Sequence, residues 1–126
     1  MADDACLVCF RSGRCDLDGA AKALASSKLL VERRGDELAV HYPGGPVLRV
    51  VHATAGYVAE ENAEIAQMSP QAATLLPCEV RSEVLIDDLD ATLQEYQTLF
   101  AVQEALAAIT GGFVFNTWNC GFPWST

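Results

Sequence analysis

The sequence predicts an α+β fold: a mixed or antiparallel sheet with helices packed mainly on one face. Three observations predict it. Stretches that alternate apolar and polar residues interleave with stretches of helical spacing, in the order β-α-β-β-β-α-α-β-α-β. A strand–helix–strand unit stands at each end of that order, and right-handed crossovers would put both main helices on the same side. The 126 residues, 51% hydrophobic and 20% charged, have the size and composition of one globular domain. No linker, repeat or low-complexity tract divides them, so 1–126 reads as a single domain with 119–126 as a C-terminal tail.

Ala5–Arg11 is apolar on both sides of its alternation (Cys6, Val8 and Phe10 against Leu7 and Cys9), the pattern of a central or doubly covered strand. Asp16 or Asp18 can cap a helix over Leu17–Ser27, because a carboxylate there accepts the free N–H groups of the first turn. Leu29–Arg33 and Glu37–His52 then form a β-meander, with turns at Gly35-Asp36 and Pro43-Gly44-Gly45-Pro46. A two-residue first turn and a four-residue second turn place Leu29, Val31, Leu38, Val40, Tyr42, Val47 and Val51 on one face. Glu32, Arg34, Glu37, His41 and His52 fall on the other. Arg33 and Arg49 are the exceptions on the apolar face. Arg33 adjoins a turn and reaches water, whereas Arg49 needs an acidic partner or a bulge that re-aims it.

Residues 57–68 read as a helix with Tyr57, Val58, Ile65 and Met68 available for burial. Ser69-Pro70 starts a short helix over 70–76 that Pro77 ends. Cys78, Val80, Val84 and Ile86 alternate against Glu79, Arg81 and Glu83 as a strand. The longest helix spans about 88–110, with Leu89, Leu93, Tyr96, Phe100, Leu106 and Ile109 at helical spacing and Gly111 as its stop. Phe113–Trp118 closes the sheet. The assembled pattern resembles an elaborated ferredoxin-like sandwich, which implies a fold and no function.

Net charge is −9 and lopsided. Residues 1–58 hold seven acids and seven bases; residues 59–126 hold ten acids and one base, Arg81. Such a surface repels phosphate backbones and anionic bilayers, which argues against nucleic acid and membrane as partners and for a basic protein. The acidic start Met1-Ala2-Asp3-Asp4 lacks the basic and apolar segments of a secretory signal, so the expected compartment is the cytosol. Five cysteines, an odd number, fit free thiols better than a disulfide framework.

Each chemistry-bearing cluster has a plain structural reading beside it. Cys6-x-x-Cys9 with Cys15 would suit zinc or redox work only if the sulfurs converged, and in a strand positions three apart face opposite sides. His41 and His52, placed on one face, stand ~13 Å apart at ~3.4 Å per residue, too far for one metal. Asp87, Asp88 and Asp90 sit where a helix begins and the dipole favours carboxylates. Gly44-Gly45 and Gly111-Gly112 are turn and helix-stop residues, because neither opens a helix after a strand as a phosphate cradle would. No set qualifies as catalytic or metal-binding, and no cofactor is implied.

What remains is a candidate binding set. Glu60, Glu61 and Glu64 form an acid cluster without a capping excuse of comparable strength, and like charges at i and i+4 are mildly unfavourable. Arg49 is a mid-strand base. Asn116, Trp118 and Trp124 belong to an aromatic and amide-rich C-terminus that either tucks into the domain or meets a partner. The leading expectation is a small acidic protein-binding module with a basic partner. In size and charge it resembles bacterial inhibitor and immunity proteins. The alternatives are a small enzyme or ligand-binding domain, with Arg49, a histidine or a cysteine in a cleft between helices and sheet, and a homo-oligomeric scaffold, including a homodimer, built through a sheet edge or the tail.

Overall fold

The computed structural model describes residues 4–123. Six strands form one sheet: β1 (Asp4–Phe10), β2 (Leu30–Arg34), β3 (Glu37–His41), β4 (Leu48–Ala53), β5 (Val80–Ile86) and β6 (Phe113–Asn116). The helices are α1 (Leu17–Ser26), α2 (Gly56–Ala66), α3 (Pro70–Ala73), α4 (Leu89–Gln94) and α5 (Tyr96–Thr110). The sheet order is β2-β3-β4-β5-β1-β6. Every neighbouring pair is antiparallel, so of the two sheet types the sequence allowed, the antiparallel one forms.

Helix ends follow local chemistry. Asp16 caps α1 by accepting from Gly19 N at 2.7 Å, and Ser69 caps α3 with Pro70 behind it. Gly111, at φ 68°, takes the left-handed turn that ends α5. Gly112 then passes so close to β1 that a Cβ there would collide with the Cys9 carbonyl. The long helix expected over 88–110 is two helices. Glu95 leaves helical geometry (φ −108°, ψ 79°) and caps α5 by accepting from Thr98 N at 3.1 Å. The break rotates the buried face: Leu99, Val102 and Leu106 go inside, while Leu93, Tyr96, Phe100 and Ile109 stay on the surface.

The sheet carries one core on each face. On the first face, Cys6, Val8, Val84, Val50, Leu48, Val40 and Leu38 pack against Leu24 of α1 and Leu99, Val102 and Leu106 of α5. Leu89 of α4 joins this cluster, so the helices gather mainly here. On the second face, Ala5, Leu7, Cys9, Phe113 and Phe115 meet Ala66 of α2 and Ala72 of α3. That second cover lies over β1, β5 and β6. β1 is buried on both sides, as its unbroken apolar run predicts.

The β-meander differs from expectation by one residue. The first turn has two residues, with Arg34 opposite Glu37. The second pairing sets Val40 opposite Leu48 and Leu38 opposite Val50. A slip of one residue flips every side chain of a strand. Leu48 and Val50 therefore replace Val47 and Val51 in the core, and Arg49 turns to the second face. His52 turns the opposite way. It stacks edge-on against Phe10 (centroids 5.8 Å apart) on the α5 face, while His41 lies on the other, so the two histidines do not share a face.

Candidate functional site

α2 is held to the sheet by a buried polar network. Val58, Asn62 and Ala66, at i, i+4 and i+8, form its buried stripe. Asn62 is fully buried and saturated: its Nδ2 donates to the carbonyls of Cys78 (2.8 Å) and Val80 (3.1 Å). Its Oδ1 accepts from the Cys9 thiol (3.2 Å) and from Arg81 Nη1 (3.3 Å). Arg81 also reaches Glu61 Oε1 and Glu83 Oε2, both at 2.9 Å. The one base of the second half is thus consumed inside the molecule, and Glu61, though half exposed, is a structural residue.

Placing Asn62 inward rotates α2 away from the expected face. Tyr57 and Met68 are 56% and 55% exposed rather than buried. By the 100° step per residue of a helix, Tyr57, Glu60 and Glu64 run along its solvent crest, and Met68 follows in the turn two residues past its end. All four are exposed. Beside the crest lies an apolar groove of about 320 Å³, walled by Ala59 and Ala63 on one side and Leu76, Pro77 and Cys78 on the other. Glu79 closes one end, with Ser12 N donating to its carboxylate at 3.0 Å. Glu60 follows Ala59 and precedes Ala63 by three residues on the same helix.

The other predicted binding residues are elsewhere and already engaged. Arg49 donates through Nη2 to Asp87 Oδ1 at 2.8 Å and lies 3.7 Å from Glu37, so it takes the acidic partner the sequence allowed; the β4 pairings run without a bulge, and the one-residue register difference is what turns the side chain. Asn116 is buried, accepting at 3.0 Å from Gln103 Nε2, and Trp118 packs on the α5-face core. The sheet separates both from α2. Trp124 lies outside the described residues.

The thiols are arranged for packing. Cys6 and Cys9 occupy opposite sides of β1. Burial pushes Cys6 up to about 12 and Cys78 up to about 11, and raises Cys9 as well, with Arg81 opposing. Such thiols carry almost no thiolate at neutral pH and are poor nucleophiles. Among the described residues, no three His, Cys, Asp or Glu side chains converge as a metal site would require. A second apolar cleft, about 330 Å³, lies between α3, α5 and β6 and is lined by Ala72, Leu75, Ala107, Phe113 and Phe122. No arginine, histidine or cysteine lines it.

Two features escaped the sequence reading: the inward Asn62 and the fully buried Gln103, whose Oε1 has no hydrogen-bond partner among the described residues. One signal was available for the first. A lone base opposite an acid cluster is a candidate buried ion pair, and Arg81 is that base. Compared with known protein families, characterised proteins and solved structures, the chain matches none.

Proposed function

We propose that this chain is an acidic protein-binding module whose seat for a basic partner is the crest and groove of α2. The observation that carries the reading is the stripe Tyr57–Glu60–Glu64–Met68 beside an apolar groove. Aromatic and methionine side chains supply contact area, and flanking carboxylates select lysine or arginine on the partner. None of the helices α2 to α5 contains a base to compete for those carboxylates. Arg81 is spent on Glu61, Glu83 and Asn62, and Arg11 donates to the Leu76 carbonyl at 3.3 Å. A segment that places one apolar anchor in the groove and basic residues over Glu60 and Glu64 fits both parts of the surface. The resemblance to inhibitor and immunity proteins belongs with this reading as its broader class.

The test is affinity capture from the native host at low salt, comparing the wild-type chain with a Glu60→Lys/Glu64→Lys variant. A basic protein held by the wild type, released by salt and absent from the variant supports the reading. Identical captures by the two proteins, or none by either, would sink it.

A further inference from the structure

The two edges of the sheet are treated differently. At one edge the chain folds back on β6: Asn116 N donates to Gly121 O at 2.8 Å, and Gly121 N returns a bond to Asn116 O at 3.3 Å. At the other edge, β2 has β3 as its sole sheet neighbour. A strand aims its N–H and C=O groups alternately to both sides, so the outer side of β2 is a row of groups without sheet partners. Among the described residues, the helix that packs on β2 and β3 is α1, on the first face. Leu30 is 49% and Val47 44% exposed, and with Glu32, Arg34, Ala39 and His41 they line a shallow depression of about 240 Å³.

Charge on an edge strand ordinarily discourages pairing. The pattern on β2 instead fits itself. Glu32 and Arg34 are two apart on the second face, well exposed at 67% and 55%, and paired with each other at 2.8 Å within one chain, a pair that a second copy would exchange for two crossed ones. Rotate a second copy by a two-fold axis perpendicular to the sheet, level with Arg33 and midway between the two edge strands. Each Glu32 then stands directly opposite the other copy's Arg34, twice over. The two Arg33 side chains meet on the opposite face, each already paired with its own Asp18. The location also matters for a chain of net charge −9. The acidic surplus belongs to the second half of the sequence, whereas residues 28–37 hold three bases (Lys28, Arg33, Arg34) against three acids (Glu32, Asp36, Glu37). Two such molecules repel less at this balanced edge than at the acidic second half.

We infer that β2 is a homodimer edge, at which two copies pair antiparallel through crossed Glu32–Arg34 contacts to make one continuous sheet. The interface is independent of the α2 groove.

The test is sedimentation equilibrium over a range of concentrations, with circular dichroism and melting temperature to verify folding. Both side chains are exposed, so Glu32→Arg and Arg34→Glu should leave the fold intact. The wild type should show a concentration-dependent dimer. Either single variant sets like charges opposite each other at both contacts and should weaken it by about tenfold or more. An equimolar mixture of the two folded variants should recover a dimer, because every crossed contact is then of opposite sign. A wild type that stays monomeric throughout, a dimer indifferent to both reversals, or a mixture that fails to recover would each overturn the inference.

Discussion

The two halves of the sheet solve the problem of burial differently. In β5-β1-β6 each strand is covered on both faces, by α5 on one and α2 with α3 on the other. In β2-β3-β4 the helices cover one face and the second face meets solvent through Leu30, Val47 and a set of mutually paired charges. The covered half requires every inward polar group to be matched, as Asn62 and Arg81 are. The open half tolerates charge because water does much of the work. Stability therefore belongs to the first half, and the second has freedom to change.

The largest expected effect comes from one substitution made in both halves. Leu7→Lys puts a charge into the core beneath α2, where the facing Glu83 is already bonded to Arg81, and should cost more than about 3 kcal/mol. Leu30→Lys, on the same face in the open half, should change stability by less than about 0.5 kcal/mol. Urea denaturation of the two variants measures both, and similar costs would erase the distinction between the halves. A polar pair comes next. Asn62→Ala takes their side-chain donor from the Cys78 and Val80 carbonyls and one contact from Arg81, which keeps Glu61 and Glu83, and should cost about 3 kcal/mol. Arg49→Ala removes a half-exposed ion pair and should cost under about 1 kcal/mol.

A smaller effect belongs at the seam between β4 and β5. Burial lowers the pKa of His52, which faces Phe10 and Ser82, while Asp16 pulls it back up. The unfolded chain therefore binds the proton more readily than the native one. Stability is full above the ordinary histidine value of about 6.5 and falls as pH drops below it toward the lowered folded value. Melting curves across that window should show the decline, and His52→Phe should flatten it. The mildest probe is thiol labelling read by mass. Cys120 is exposed and should react first, and half-buried Cys15 more slowly. Cys6, Cys9 and Cys78, all in the covered half, should react only on unfolding. Fast labelling of Cys9 would mean that α2 opens on its own.

The legible parts of the fold were those fixed by local chemistry. Asp16, Ser69 and Gly111 announce helix ends, and Cys6–Phe10 announces a doubly buried strand, because each signal lies within a few residues. The register of β4 was not legible. Val47, Leu48, Val50 and Val51 are all apolar, so either of two registers buries a pair of them. The deciding contact, Arg49 with Asp87, joins residues 38 apart. The break at Glu95 was hidden for a related reason: no glycine or proline marks it, and a side chain rather than the backbone supplies the cap. Of the proposed site, Glu60 and Glu64 were visible as an acid cluster. The groove beside them was not, since its far wall, Leu76–Cys78, comes from another element.

The position of β1 has a consequence for how the molecule comes into being. Of the six described strands it is made before the others, yet its neighbours in the sheet are β5 and β6, and Ala5 N donates to Thr117 Oγ1 across 112 residues of chain. On the ribosome its apolar run emerges long before either partner exists. Loops of that span close slowly, and until they do the strand is a sticky ribbon in search of any edge. The most secure strand of the finished protein is thus the most vulnerable segment of the nascent one. A chain halted before β6 would be a client for chaperones rather than a smaller version of the domain.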